Sequence, residues 1–234
     1  IGSFYYTKES FDETYPGYGS SYPDVQGAVA ILFEQASSRG HLQETNYGTM
    51  SFGFTIRNQY LSSIATVEAA VDNKDLLRDY QRRFFNSSVN EFKDEKIKAY
   101  EFGDMYDQNR NKAFIDKLLM HKIKVYNSKG KFVVPVNQGQ SRMVKNFFET
   151  HSKYVDSVYY DASAWSVSNI YNMKSKKLKS FFGESEIKST ENFIKNIKVN
   201  KSNYAYILDW DDYNAAAALN LLQKNEIITY SAFK

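Results

Sequence analysis

The fold is decided by residues 97–136, which read IKAYEFGDMYDQNRNKAFIDKLLMHKIKVYNSKGKFVVPV. Residues 97–102, 123–126 and 131–136 are short, largely apolar runs that predict strands. Residues 107–121 lie between them and predict a helix. One face of this helix carries three residues at helical spacing: Phe114, Leu118 and His121. Strands that alternate with helices and short turns predict a parallel sheet covered by helices.

The same pattern recurs towards the end of the chain. Residues 140–150 predict a helix, 204–210 (YAYILDW) a strand, 212–224 a helix and 226–230 (EIITY) a strand. The helix before EIITY has four residues that are expected to face inward: Ala215, Ala218, Leu219 and Leu222. Because the chain ends just after a predicted strand, we expect the second sheet to be truncated.

The first 96 residues follow a different plan. Residues 28–35 (AVAILFEQ) form a short apolar run between polar and glycine-rich stretches, which predicts a buried strand with Glu34 at its carboxyl end. Residues 49–56 alternate and predict a second strand. Residues 58–85 have helical spacing, with a break near Asp72. Four apolar residues before the break fall on one face of the predicted helix: Tyr60, Ile64, Val67 and Val71. The charged stretch 90–96 predicts a domain boundary.

Composition excludes several classes of protein. The net charge is only +3, with 30 basic and 27 acidic residues, and the lysine cluster at 174–179 is interpreted as a solvated loop, so no nucleic-acid partner is expected. No apolar run is long enough to predict a membrane span. The absence of cysteine excludes disulfides, thiolate metal sites and a cysteine nucleophile. Since the chain begins at Ile1 without Met, we expect the natural N-terminus and any targeting signal to be missing.

Glu34 is the first candidate for chemistry. A carboxylate at the end of a strand, preceded by a tyrosine-rich loop, can act as a general base while a mobile phenol closes over the substrate. The alternative is a structural ion pair with Arg39. The residues alone leave both interpretations open.

The stretch TYPGYGSSYPDVQGAVAILFEQASSRG, residues 14–40, resembles the end of the peptidase domain in bacterial M14-family zinc carboxypeptidases. The resemblance implies that Glu34 is the catalytic general base and that Tyr15 is the mobile, substrate-contacting phenol. Tyr18 and Tyr22 compete for the role of Tyr15. Three further residues would line the pocket for the C-terminal side chain of a peptide substrate: Gly19, Ser20 and Ser21.

Similarity continues over residues 48–70, which look like the closing strand and last helix of that domain. It extends more loosely over 156–165 and 204–222, the latter in a region resembling class I glutamine amidotransferases. The implied fold class is α/β: residues 1–92 would be the C-terminal part of a carboxypeptidase-like mixed sheet with helices, and residues 95–234 a truncated three-layer α/β module. Amidotransferases use a cysteine nucleophile, so this module is expected to be non-catalytic, with Trp165 and Trp210 in its core. The alternative is an exposed aromatic patch that binds peptide or glycan.

The chain departs from the M14 pattern in its metal ligands. That family binds zinc through His-x-x-Glu and a later His, all before the catalytic glutamate, and none of the 33 residues before Glu34 is His. Residues 41–44, His-Leu-Gln-Glu, match the His-x-x-Glu motif, and His121 or His151 could be considered as a third ligand. This match follows Glu34, however, and lies in a stretch expected to be a solvated loop. We therefore predict no metal ligands in this chain, and His121 is interpreted as the packed end of a helix.

The preferred function is that of a fragment of a zinc metallocarboxypeptidase, a hydrolase that removes C-terminal residues from peptides in the full-length parent and is inactive as this fragment. The alternative is a non-catalytic peptide- or glycan-binding or interaction module on a degenerate peptidase scaffold. The resemblance implies zinc and a peptide substrate for the parent, and a periplasmic or secreted location. An apolar strand at 28–35 with an unfilled edge would lead to self-association of the fragment.

Overall fold

The computed structural model describes residues 5, 16–36, 38–150, 166–194 and 199–232. The chain divides into two compact units between Ser87 and Ser88. In the first unit, a short helix α1 (Ser21–Val25) precedes an antiparallel hairpin of β1 (Leu42–Thr45) and β2 (Gly48–Ser51). Two helices follow, α2 (Phe52–Asp72) and α3 (Lys74–Glu91), and the last turn of α3 belongs to the second unit.

The two helices confirm the predicted helical spacing and the predicted break. Helix α2 ends at Asp72, and its C-cap Asn73 has φ of −108°, outside the helical range. The helix also begins earlier than expected, because the Ser51 hydroxyl accepts a hydrogen bond from the Phe54 amide and so caps its N-terminus. The prediction of a strand over 49–56 is therefore correct only as far as Ser51. The expected apolar face of α2 is exposed: Tyr60, Ile64, Val67 and Val71.

The prediction of a buried strand at 28–35 is wrong. These residues form no regular element and pair with no strand among the residues described, and the side chains of Val29, Ile31 and Phe33 are exposed. A strand forms only where its backbone groups find partners, and the sheet of this unit consists of β1 and β2 alone within the described ranges. The sheet edge that was expected to drive self-association is therefore not formed by this run.

The second unit is built on a four-stranded sheet in the order β4-β5-β3-β6. Its strands are β3 (Ala99–Phe102), β4 (Tyr126–Ser128), β5 (Lys131–Pro135) and β6 (Ser175–Leu178). Helices α4 (Gln108–Met120), α5 (Ser141–Phe148), α6 (Val167–Ile170) and α7 (Ala215–Lys224) complete the described elements. The protein is thus a mixed α/β protein with two small antiparallel sheets.

All strand pairs in this sheet are antiparallel, so the prediction of a parallel sheet is wrong. The local reason is the turn between β4 and β5. Lys129 and Gly130 both have positive φ, 48° and 80°, the backbone of a tight two-residue hairpin, which can only join antiparallel strands. β4 also begins at Tyr126, so residues 123–125 are not part of a strand, although Ile123 and Val125 are buried.

An aromatic cluster holds helices α4 and α5 against one face of this sheet. The Phe148 ring lies at its centre, stacked on Tyr100 at 4.8 Å and contacting Phe102 and Phe114 at 5.7 and 5.6 Å between ring centroids. Tyr100 and Phe102 alternate along β3 and so share one face. All four side chains are almost completely buried, which makes this cluster the main source of hydrophobic stabilisation in the unit.

Several other predictions for this unit are corrected. The lysine cluster at 174–179 is not a loop but contains the edge strand β6, whose exposed lysines discourage pairing with other chains. Residues 204–210 and 226–230 do not form strands, and Trp210, expected in the core, is 64% exposed. Trp165 lies outside the described residues. The predicted inner face of α7 is confirmed, since Ala215 is buried and the other three residues of that face are half-buried: Ala218, Leu219 and Leu222.

We expect Tyr100→Phe to raise the free energy of unfolding by about 1 kcal/mol. The Tyr100 hydroxyl is buried without a hydrogen-bond partner among the described residues, and burial together with the nearby Glu149 and Glu95 carboxylates raises its pKa to about 12. Phe keeps the ring stack and removes the unpaired polar group. Urea denaturation measures the change, with the exposed Tyr230→Phe as the control. A clear loss of stability would show that the hydroxyl has a partner in solution.

Candidate functional site

The structure describes six of the seven residues named from the M14 resemblance, because Tyr15 lies outside the described ranges. Residues 18–21 form a turn that leads into α1, in which the Tyr22 amide donates to the Tyr18 carbonyl at 3.0 Å. Gly19 is exposed, Tyr18 and Ser20 are half-buried, and Ser21 is buried. The turn therefore presents Gly19 to solvent and points Ser21 inward.

Glu34 is exposed on the irregular segment 28–36, which we call the Glu34 segment. Helix α2 holds this segment on both sides of the glutamate. The Gln59 side-chain amide donates to the Phe33 backbone carbonyl at 3.2 Å, and the Asn58 side-chain amide donates to the side-chain Oε1 of Gln35 at 3.1 Å. Asn58 is only 6% exposed, so this anchor is itself fixed by packing. The backbone at Glu34 is thus positioned while its carboxylate stays accessible.

Helix α3 fixes the approach to the Glu34 segment. The Gln81 side chain donates to the Gln26 carbonyl at 3.3 Å, and Gly27 lies against the Phe84 ring. A Cβ at Gly27 would come within 2.9 Å of that ring, and its φ of +71° is also one that favours glycine. The Ala30 amide donates to Asp24 Oδ1 at 3.0 Å. Residues 26–35 are therefore attached to α3 at one end and to α2 at the other.

A groove of about 760 Å³ lies beside the carboxyl end of the Glu34 segment. Gln35 and Ala36 line one side of it, and the first turns of α2 contribute apolar side chains that include Phe52, Ile56 and Tyr60. Glu34 itself does not line the groove. The groove offers an apolar surface next to the exposed carboxylate.

The His-x-x-Glu sequence at 41–44 lies in the β1–β2 hairpin, and not in the solvated loop that was predicted. The His41 carbonyl accepts a hydrogen bond from the Phe52 amide at 2.9 Å, and its ring meets the edge of the Phe52 ring. Glu44 Oε1 accepts from the Thr49 hydroxyl across the hairpin at 2.7 Å. In the described part of the chain no three His, Cys, Asp or Glu side chains form a group that could hold a metal.

His121 is the packed end of a helix, as predicted. It caps the C-terminus of α4, its Nδ1 lies 2.8 Å from the Lys117 carbonyl oxygen, and its ring contacts Phe147. His151 lies outside the described residues.

The second unit contains a partly buried charge network that was not predicted from the sequence. Arg110 Nη1 lies 2.8 Å from Asp104 Oδ2, and Arg110 Nη2 lies 3.3 Å from Asp107 Oδ2. Asp107 also caps α4, since its Oδ1 accepts from the Arg110 amide at 2.8 Å. We call these three residues the Asp104–Arg110 network. The signal that could have found it is the sequence DMYDQNR directly after a strand.

The same network binds the segment that precedes α7. The Tyr213 amide donates to Asp107 Oδ2 at 2.7 Å, and Arg110 Nη2 donates to the Asp211 carbonyl at 2.6 Å. The Tyr213 ring in turn stacks on Tyr171 at 6.0 Å between centroids. These contacts fix the backbone that carries the exposed Trp210.

We expect the Asp104–Arg110 network to make stability depend on pH below about 4. Hydrogen bonds from the Tyr106 and Asp107 amides, together with Arg110, hold the pKa of Asp104 below its ordinary value of 3.8. Its stabilisation is therefore fully present above the unfolded-state pKa and is lost as pH falls through the lower folded-state value. Denaturation midpoints are measured between about pH 2.5 and 7. At low pH they should fall less steeply in Asp104→Asn than in the unmodified chain. The control Asp94→Asn, at an exposed position, should follow the unmodified chain. Parallel curves for Asp104→Asn and the unmodified chain would contradict the assignment.

Comparison with known proteins found no matching family model, no matching curated protein and no matching solved structure. The resemblance to M14 carboxypeptidases and to amidotransferases therefore stays a prediction. Among the residues that the structure describes, no helix is long and apolar enough to cross a membrane.

Proposed function

We propose that residues 16–72 form the catalytic-glutamate part of a zinc carboxypeptidase-like peptidase, with Glu34 as the general base. The observation that carries this proposal is the placement of Glu34. Its carboxylate is exposed, the Phe33 carbonyl before it accepts from the Gln59 side chain, and the Gln35 side chain after it accepts from the Asn58 side chain. The sequence resemblance over 14–40 supplies the reaction class.

The geometry suits proton transfer at a fixed point. A general base must be reachable by water and substrate, and its position must vary little. Glu34 meets the first condition by exposure and the second through the two amide anchors of α2. The groove beside Gln35 would receive an apolar part of a peptide against Phe52, Ile56 and Tyr60.

The zinc ion implied by the resemblance does not fit the described residues, since they contain no suitable group of three ligands. We therefore give Glu34 a proton-transfer role and assign no metal ligand to this chain. In this proposal the ligands belong to a longer protein that contains the chain.

The longer protein is expected to release C-terminal residues from peptides in a zinc-dependent way, whereas the 234-residue chain alone is not. The M14 order requires the histidine ligands to precede the catalytic glutamate. In this sequence no His precedes Glu34. Amino acid release from a set of peptides, with and without added zinc or chelator, measures both. Zinc-dependent release by the chain alone would move the metal site to His41 and Glu44. Chelator-resistant release, or none, by the longer protein would overturn the proposed function.

The second unit favours another function, that of a peptide- or glycan-binding module. The observation is the exposure of Trp210 at 64% and of Tyr106 at 92%, both attached to backbone that the Asp104–Arg110 network fixes. Exposed aromatic rings on fixed backbone are typical of surfaces that bind sugars or peptides. Titration with oligosaccharides and peptides tests this, with Trp210→Ala as the variant and the exposed Ile207→Ala as its control. No saturable binding to either class would exclude it.

A further inference from the structure

A cavity of about 510 Å³ lies in the second unit, at the end of the sheet where β3 begins and β5 ends. Three lysines line it: Lys93, Lys98 and Lys124. Its other walls include Tyr126 and Phe181. It is separate in sequence from the Glu34 segment and from the Asp104–Arg110 network, and the functions proposed above do not use it.

Two of these lysines extend from backbone that is firmly held. The Lys98 amide donates to the Leu178 carbonyl at 2.8 Å, and the Lys98 carbonyl accepts from the Val136 amide at 2.9 Å, so its backbone is hydrogen-bonded on both sides at this end of the sheet. The Lys124 amide donates at 2.8 Å to Oε1 of Gln138, a buried side chain. The Lys98 ammonium donates a hydrogen bond to the Lys93 carbonyl at 2.8 Å. This bond holds the side chain of Lys98 next to the backbone of Lys93.

The charge of the lysines is not balanced by direct contacts. Of the ion pairs found in the described ranges, none involves Lys93, Lys98 or Lys124. The neighbouring acid Glu95 is already paired with Lys145 at 2.9 Å. Three lysine side chains line one cavity, and their combined positive charge would attract an anion with two or more charges.

An aromatic pair forms one wall of the cavity. The Tyr126 and Phe181 rings meet edge to face at 5.0 Å between centroids. Gly183 makes room for them, because a Cβ at that position would lie 2.5 Å from Phe181 and 2.9 Å from Tyr126. A cavity with ammonium groups on one side and aromatic rings on another can hold an organic anion by both its charge and its carbon skeleton.

We propose that this cavity binds a small polyanion, with Lys93, Lys98 and Lys124 as the charged donors and Tyr126 and Phe181 as the apolar wall. Lysine ammonium groups bind phosphate and carboxylate oxygens alike as point charges, so both ligand types share the required chemistry.

Calorimetric titration of the chain with sodium pyrophosphate and, separately, sodium citrate tests this proposal. We expect saturable one-to-one binding of at least one of them, weakened roughly tenfold by Lys98→Gln and by Lys124→Gln, as for the loss of one charge-assisted hydrogen bond in a partly exposed site. The control is Lys201→Gln, which removes the same charge from an exposed position outside the cavity.

The two anions distinguish the sources of the ligand. Tighter binding of pyrophosphate indicates a phosphorylated compound, tighter binding of citrate a polycarboxylate, and equal binding a polyanion site without preference. The absence of saturable binding of both, or an equal loss in Lys201→Gln, would overturn the proposal. Lys124→Gln keeps the test valid if Lys98→Gln disturbs the sheet, because the Lys124 side chain is exposed and only its backbone is used structurally.

Discussion

On the proposed function, replacing Glu34 by Gln is expected to lower the turnover of a longer protein that contains this chain by about 10³-fold or more, the upper part of the range for an essential general base. The amide has the shape of the carboxylate but cannot accept a proton at neutral pH. The hydrogen bonds from Gln59 to the Phe33 carbonyl and from Asn58 to the Gln35 side chain do not involve the side chain at position 34. We therefore expect kcat to fall while KM and thermal stability change little.

The matched control for this variant is Glu44→Gln. Glu44 is also an exposed glutamate in the first unit, and its single described contact is with Thr49. Turnover should stay near that of the unmodified protein in this control. Near-normal turnover in Glu34→Gln would show that the base lies elsewhere, and equal losses in both variants would point to a general effect of charge.

Replacing Phe148 by Ala is expected to reduce the free energy of unfolding of the second unit by about 3–5 kcal/mol. The ring fills the centre of the aromatic cluster and contacts Tyr100, Phe102 and Phe114 at once. Its removal leaves a cavity between the sheet and helices α4 and α5 that rigid neighbouring rings cannot refill. Chemical denaturation followed by near-ultraviolet circular dichroism, which reports on aromatic packing, measures the loss.

Ile207→Ala is the control for that measurement, because Ile207 is 99% exposed and its truncation should change stability by less than about 0.5 kcal/mol. A loss below about 1 kcal/mol in Phe148→Ala would mean that the cluster collapses around the gap. The aromatic cluster would then not be the main source of stability in this unit.

The helices could be predicted from the sequence because their signals are local. The break between α2 and α3, helix α4 and the inner face of α7 all follow from apolar spacing within one segment. Strands depend on partners that are distant in sequence. The runs at 28–35 and 204–210 have strand-like composition, but neither pairs in the described structure. The antiparallel sheet had one local signal, Lys129-Gly130 between two short strands, which the apolar pattern alone does not reveal.

The candidate sites could likewise be predicted only where their signal is local in the sequence. The sequence draws attention to Glu34, but it does not show that Gln59 would bind the Phe33 carbonyl or that Asn58 would bind the Gln35 side chain, both from more than twenty positions away. Likewise, Lys93, Lys98 and Lys124 are unremarkable surface residues until the sheet brings them to one cavity. Such sites result from tertiary contacts, which no local pattern encodes.

The bond between Asp107 and the Tyr213 amide has a consequence for folding during synthesis. The two residues are 106 positions apart, so at about 5–20 residues per second the ribosome makes Tyr213 roughly 5 to 20 s after Asp107. In that interval Arg110, only three positions away, can already engage Asp107 and start α4. The nascent chain can thus hold a preformed acceptor for the segment before α7, and that segment docks only after Tyr213 has been synthesised.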